Sequence, residues 1–334
     1  MLGFVALFGL FVGVVGFGAI YQTLATRRDR RKFLPPGKMI EVHGNRLHYQ
    51  AMGAGQPTVV IESGQGATHL DWQLVQPEIA KFTQIVTYDR AGYGWSDLSA
   101  NPRTAQHIVD DLRQLLQNAG IAPPYVLVGM SLSGIFVRLF AYQYPEEVAG
   151  MVLVSVAHER MYESMPPDMV KLNQQFDWLA IHVLPIAARI GLFRLLVTLD
   201  RLPLAAGLFK KLRPDLQFAA KSIYARTQFW QTLGQESAGF PTSLQQIEKV
   251  RGACSFPNIP LRVLSSGKPD FGASLELIES MQALDADLAR ESPQGVQVIV
   301  EQSGHAIQLD EPEQVIDAIR QVVEQARYGS RCDK

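Results

Sequence analysis

From Ile40 onward the chain alternates short apolar runs with longer stretches whose apolar residues recur every three or four positions. Residues 46–52, 58–62, 84–89, 125–129, 151–155, 261–265 and 296–301 read as strands. Most are unbroken apolar runs, as strands buried on both faces require. Between the third and fourth, Thr104 stands at a capping position. It is followed by Ile108, Leu112, Leu115 and Leu116 at i, i+4, i+7 and i+8, and then by Gly120, which predicts a helix with one apolar face on a sheet. Such alternation is the pattern of a mostly parallel sheet flanked by helices, an α/β fold. It breaks over residues 158–254, which are rich in Leu, Phe and Trp and lack a clear strand. That stretch reads as helices inserted as a lid, leaving 38–157 and 255–327 as the core.

Residues 2–21 carry no charge and include Phe4, Val5, Leu7, Phe8, Leu10, Phe11, Val12, Val14, Val15, Phe17 and Ile20. About 20 apolar residues suffice to cross roughly 30 Å of hydrocarbon as a helix, with the backbone polar groups satisfied internally. Arg27, Arg28, Arg30, Arg31 and Lys32 follow, relieved only by Asp29. Residues 1–22 are therefore expected to be a transmembrane anchor in a lipid bilayer, single-pass, and 23–37 a basic juxtamembrane linker, with the folded part cytoplasmic. A cleaved secretory signal is the competing reading, with Leu24 and Ala25 as a weak cleavage site, but its basic region should precede the apolar stretch. Gly9 and Gly13 have the spacing of helix pairing, although glycine is common in membrane helices generally.

The whole chain has 334 residues, 47% hydrophobic and 19% charged, so about 300 residues remain for one core with an insertion. A net charge of -1 supplies no basic field, so nucleic acid is not an expected partner. Cys254 and Cys332 lie far apart, which gives neither a disulfide framework nor a zinc cluster. No internal repeat or low-complexity tract is evident.

The chemistry concentrates in three places. The first is Gly129-Met130-Ser131-Leu132-Ser133-Gly134, between an apolar strand and an apolar helix. A sharp strand-to-helix turn projects its central side chain from the sheet and needs small neighbours, so Ser131 is the candidate nucleophile; a serine in an ordinary loop is the bland alternative. A serine hydroxyl needs a base, and of seven histidines only His305 follows the last strand, in Ser303-Gly304-His305. His43, His48, His69, His107, His158 and His182 read as surface or structural residues, His43 and His48 flanking a turn at Gly44-Asn45. No helix-spaced histidine pair suggests a metal site. The orienting acid should follow the penultimate strand, where Asp270 fits, with Asp285, Asp287 and Glu291 as fallbacks. A turn aspartate is often only a turn former, so Asp270 rests on the chain order Ser, Asp, His. Backbone N–H donors for an oxyanion are expected from Leu132 and from Gln65 in Ser63-Gly64-Gln65-Gly66, which could equally be a plain glycine-rich turn. Gly92-Tyr93-Gly94 lacks the third glycine of a dinucleotide loop, so a nicotinamide cofactor is not expected.

Taken in order over residues 40–326, the oxyanion loop at 63–66, Asp89-Arg-Ala-Gly-Tyr-Gly-Trp-Ser96, the turn at Ser131, Gly267 to Asp270 and Ser303-Gly304-His305 resemble the α/β-hydrolase fold superfamily. The nearest branch is that of small bacterial esterases and cofactor-free haloperoxidase-like proteins. The resemblance implies a Ser-His-Asp triad, no cofactor and a helical cap after the sixth core strand. Ser63 and Met130 stand where the family often has histidine, and Ser133 where glycine is usual. Relatives that open epoxides or displace halide use an aspartate nucleophile, so Ser131 points to acyl transfer on a small ester, thioester, lactone or amide. Two alternatives are a ligand-binding protein of the same fold and an aminopeptidase-like relative using lid acids such as Glu159, Glu163, Asp168 or Asp177. Leu184, Leu192, Leu195, Leu196, Leu202, Leu204, Leu208, Phe229 and Trp230 are expected either to line an acyl pocket or simply to pack the lid.

Overall fold

The computed structural model describes residues 2–202, 206–270 and 273–332. Eight strands form one sheet: β1 Lys38–Val42, β2 Asn45–Met52, β3 Thr58–Glu62, β4 Ile85–Tyr88, β5 Tyr125–Met130, β6 Val148–Val154, β7 Leu261–Ser266 and β8 Gly295–Val300. Their spatial order is β1-β2-β4-β3-β5-β6-β7-β8. β1 pairs antiparallel with β2, and β2 with β4, while every other pairing is parallel. β1 was not among the expected strands. Lys38-Met-Ile-Glu-Val42 is a short edge strand with Lys38 and Glu41 exposed and Val42 buried, and its two charges hide the apolar signal.

The unbroken apolar runs become β3, β4 and β5, in which every residue is buried. Alternate residues face opposite layers. Val60 and Leu127 pack with Ile108, Leu112, Leu115 and Leu116 of helix Ala105–Asn118, while Val59, Ile61, Val126 and Val128 pack with Val315, Ile319, Val322 and Val323 of helix Pro312–Cys332. Thr104 does occupy the N-cap, but its hydroxyl turns to His107 Nδ1 at 3.0 Å instead of capping the backbone.

Between β6 and β7 the described residues form seven helices, from Met161–Ser164 to Thr227–Ala253, the lid. The apolar residues singled out there divide. Leu202, Phe229 and Trp230 are buried with Phe193 in the lid's own core, where Phe193 stacks on Trp230 at 3.7 Å. Leu184 and Leu196 pack at its edge, whereas Leu192 and Leu195 are exposed. Leu204 lies outside the described residues, as does the side chain of Leu208.

At the other end, Leu2–Lys32 is one continuous helix, long and apolar enough to cross a membrane by length and composition. Phe4, Leu7, Phe8, Leu10, Val12, Val14 and Phe17 of this helix are exposed. From Gly18 it lies against the lid, so close that a Cβ there would sit 2.3 Å from the Ile190 carbonyl oxygen. Gln22 Nε2 donates to the Ala225 carbonyl at 2.6 Å, Arg194 pairs with Asp29 at 2.6 Å, and Arg30 donates to Gln228 at 2.6 Å. The indole N–H of Trp95 closes the contact on the Phe33 carbonyl at 2.8 Å. Residues 23–32, expected from their charge density as a linker, are thus helical, because several of their polar groups have partners on the lid.

Candidate active site

Ser131 stands between β5 and helix Ser133–Gln143 with φ +57°, a left-handed conformation that a non-glycine residue adopts only when its surroundings impose it. Those surroundings are main-chain hydrogen bonds: Ser131 N–H donates to Val154, and its carbonyl accepts from Gly134 and Ala157. The turn is tight enough that a Cβ at Gly129 would lie 2.6 Å from Val137 Cγ2, and one at Gly134 2.5 Å from Val156 Cβ. Ser133, at a usual glycine position, accepts from the Met130 N–H at 2.7 Å, and its hydroxyl reaches the Glu62 carbonyl at 2.6 Å. That side chain ties the ends of β3 and β5 together. Ser63 accepts from the Trp72 indole at 3.1 Å, so it too is a buried structural group.

His305 lies in the loop after β8, as the chain order required. Its Nδ1 is 2.9 Å from the hydroxyl of Ser155, at the end of β6, and Asp270 accepts from the His305 main-chain N–H at 2.6 Å. The 267–270 loop is held against this turn by Gly267 and Lys268 N–H groups donating to the Ser303 carbonyl. Burial lowers the imidazole pKa below its ordinary value, against the opposing negative charge of Asp270. Ser155 was not anticipated; it has φ +46°, a second strained residue beside the first. Of the fallback acids, Asp287 and Glu291 are spent in ion pairs with Arg251 and Arg138. Asp285 faces the site cavity, and burial pushes its carboxyl up to about 7, opposed by a hydrogen bond with Ser265.

Opposite the histidine, the expected oxyanion donors line one cavity with Ser131. Among the described residues, no acceptor is paired with the N–H of Gln65 or of Leu132. The loop carrying Gln65 is shaped by Arg90. That guanidinium donates to the Ser63 carbonyl and, at 2.8 Å, to the Gly64 carbonyl, drawing both oxygens away from the site. Arg90 is buried between Glu62 at 2.7 Å and Glu236 at 2.8 Å, and Tyr93 donates to Glu236 at 3.0 Å. Burial alone would discharge Arg90, but the Glu236 and Glu62 charges hold it well above its ordinary value. The sequence showed Arg90 only as part of a motif; its acid partner sits in the lid, 146 positions away.

Two cavities meet at Ser131 and His305. One of about 330 Å³ runs past Met161, Met165, Met169 and Met281 to Asp285, and one of about 590 Å³ runs past Gln65, Tyr162, Phe176 and Phe240 to Asp177. The lid residues lining them come from helices Met161–Ser164, Pro167–His182 and Thr227–Ala253, with Met165 between the first two. None of the apolar lid residues expected to form an acyl pocket is among the described lining. Of the lid acids, Asp177 faces the larger cavity, and Glu159 is bound to Arg138 at 2.9 Å.

His48, His69 and Asp89 form a buried cluster behind the site, with ligand atoms within 4.8 Å of one another. Hydrogen bonds join its members, while among the described residues His69 Nε2 is buried without a partner. His48 Nδ1 lies 2.8 Å from Asp89 and His69 Nδ1 3.0 Å, while His48 Nε2 accepts from the Gly37 N–H at 3.2 Å, which puts the His48 proton on Nδ1. Burial would raise Asp89, but charge and hydrogen bonds from His69 and His48 hold it well below the usual carboxylate range. Both histidines are buried and turn Nδ1 to Asp89.

Comparison with known proteins matches residues 59–318 to the profile of the "Alpha/beta hydrolase family". A probable transporter of Hormonema carpetanum is 33% identical over 160 residues, 46% of this chain and 22% of that protein. The 2-hydroxymuconate semialdehyde hydrolase of Pseudomonas sp. (strain CF600) is 32% identical over 123 residues, 36% of this chain and 44% of that protein. The chain thus spans less than half the length of these curated relatives. A provisionally assigned epoxide hydrolase of Pseudomonas aeruginosa superposes with a TM-score of 0.68 at 18% identity, covering 88% of this chain and 98% of that one.

Proposed function

The chain belongs to the α/β-hydrolase family, and from that premise we propose that it is a membrane-anchored serine hydrolase that cleaves carboxylic ester or related acyl bonds. Ser131 attacks the carbonyl carbon while His305 accepts its proton, and the oxyanion forms against the N–H groups of Gln65 and Leu132. His305 then protonates the leaving alkoxide, leaving an acyl-enzyme. Water, deprotonated by the same imidazole, attacks the acyl carbon; collapse releases the carboxylic acid and returns the proton to Ser131. Asp270 fixes the His305 loop through its main-chain N–H and favours the imidazolium by its charge. The larger cavity contains both oxyanion donors and takes the acyl side of the substrate; the methionine-lined one takes the leaving group.

The observation that carries this reading is the left-handed φ of Ser131, a non-glycine residue, in a cavity it shares with His305. Strain at a side chain that opens onto a cavity beside an imidazole suits an exposed nucleophile; Ser155 is strained as well, but only Ser131 stands between a strand and a helix and lines the cavity of Gln65 and Leu132. The test is a fluorophosphonate probe on membrane-bound protein, followed by p-nitrophenyl esters of increasing acyl length. Labelling and hydrolysis should both vanish in Ser131→Ala, a loss of at least about 10³-fold in turnover. Folded wild type that neither labels nor turns over would leave a ligand-binding protein of the same fold. Asp177 favours one narrower variant, a substrate carrying an amine at the far end of the larger cavity. Asp177→Asn would then raise KM for aminoacyl esters and leave it unchanged for neutral ones.

A further inference from the structure

A cavity of about 660 Å³ opens away from the catalytic site, between the N-terminal helix and the lid. One wall is Ala19, Ile20 and Leu24 of the helix; Arg27 and Arg30 stand above them, and Arg189 and Arg226 close the lid side. Among the described residues no carboxylate lines it. Asp29, the nearest acid in sequence, is engaged by Arg194.

Arg226 is the unusual member. Its side chain is buried, only 3% of the residue is exposed, and it donates through Nη1 to the Gly94 carbonyl at 2.9 Å. Among the described residues its Nε and Nη2 have no partner. Leaving a guanidinium edge buried and unpaired is costly, and a structural arginine would normally be satisfied by a carboxylate or by carbonyls. Burial and the nearby positive charge of Arg30 bring its pKa down to about 10, against the pull of Asp29 and Asp89. It remains a cation at neutral pH, short of countercharge, and the parallel N–H pair of a guanidinium edge suits a phosphate.

We propose that this cavity holds a phosphate group, and that its source is an anionic phospholipid. The lipid follows from position. Gln22, Thr23 and Thr26 of the lining come directly after the uncharged run 2–21, so a helix crossing the bilayer puts the cavity at the level of the headgroups. The apolar wall of Ala19, Ile20 and Leu24 continues toward the membrane, where a free anion has nothing to gain from it. Gly18, packed on Ile190, keeps the lid against the helix at that level. Ile186, Leu192 and Leu195, which flank this contact in sequence, are exposed apolar residues fit to touch the interface. The proposal is independent of the hydrolytic chemistry and rests only on the membrane anchoring stated above.

The test uses the full chain in neutral detergent with equal phosphatidylcholine and phosphatidylglycerol, retained lipid being read by native mass spectrometry. One phosphatidylglycerol per chain should be held in preference to phosphatidylcholine. Arg226→Gln and, separately, Arg189→Gln should each reduce that retention about fivefold or more. Arg189 is exposed, so its substitution leaves folding unaffected even if Arg226→Gln proves unstable by circular dichroism. Equal retention of both lipids, or undiminished phosphatidylglycerol in a folded variant of either arginine, overturns the site. Thermal stabilisation by inorganic phosphate with no lipid retained overturns the lipid as its source. Flotation with pure phosphatidylcholine vesicles reads the anchor separately. A chain that does not float removes the bilayer, and the lipid proposal with it, while leaving hydrolysis untouched.

Discussion

Ser155 combines a conformational cost with a contact to the proposed base. At φ +46° it occupies a region that costs a non-glycine residue roughly 1 kcal/mol, and its hydroxyl lies 2.9 Å from His305 Nδ1. If the contact positions the imidazole, Ser155→Gly should separate stability from activity. Glycine accepts that φ freely, so Tm should hold or rise, while kcat/KM should fall about tenfold to a hundredfold as the ring loses its alignment. A lower Tm with unchanged kcat/KM would make Ser155 merely structural. The pH profile offers an independent check on His305. The base must be neutral to accept a proton, and burial favours the neutral ring, so the acid limb of kcat/KM should have its midpoint below the ordinary imidazole value of about 6.5. A midpoint above 6.5 would mean that the Asp270 charge outweighs burial in the working enzyme. Ser131 and His305 were legible because each sits in a short pattern at a strand end. Ser155 was not, because its partner is 150 positions away and nothing local marks it.

The loop at 63–66, four residues long, is held by distant ones. Ser63 and Gly64 turn their carbonyls to Arg90, Gln65 reaches Ser237 in the lid at 3.2 Å, and Gly66 accepts from Tyr224 at 3.1 Å. With those oxygens held by Arg90, the Gln65 N–H has no acceptor among the described residues. Arg90→Met would release both carbonyls and leave Glu62 and Glu236 buried without their cation. Removing one partner of a buried pair typically costs about 3–5 kcal/mol. A urea midpoint lowered to match, together with weaker fluorophosphonate labelling in the protein that remains folded, is the expected result. A stable variant with full labelling would show that the loop holds its shape without Arg90. The glycines of this loop and the motif at 89–96 were visible in the sequence; their mutual contact was not. Element-level expectations failed in the same way elsewhere. The strand β1 was hidden by Lys38 and Glu41, and the basic segment 23–32 looked like a linker until Arg194 and Gln228 supplied partners for Asp29 and Arg30.

The docking of the N-terminal helix changes what a truncation of the chain should do. The sheet, its helices and the lid were foreseeable from alternation of apolar runs, and the apolar run 2–21 was equally plain. What the pattern could not show is that the helix continues from that run onto the lid as one body, since charge density alone reads as solvated chain. Removing residues 1–19 keeps Gln22, Asp29, Arg30 and Phe33 and therefore the bonds to Ala225, Arg194, Gln228 and Trp95. Removing residues 1–37 deletes all four. At about 1 kcal/mol for a hydrogen bond, and somewhat more where a charge is involved, the longer deletion should cost roughly 4 kcal/mol relative to the shorter. For a chain of about 300 residues that is a difference in Tm of about 6 °C, measurable by differential scanning fluorimetry on the two shortened proteins. The loss should reach the catalytic side as well, because Trp95 and Gly94, which contact Phe33 and Arg226, belong to the same loop as Arg90 and Tyr93. Fluorophosphonate labelling of Ser131 should therefore survive the shorter deletion and weaken in the longer one. Equal Tm and equal labelling in the two would mean that the helix is tethered to the lid without supporting it.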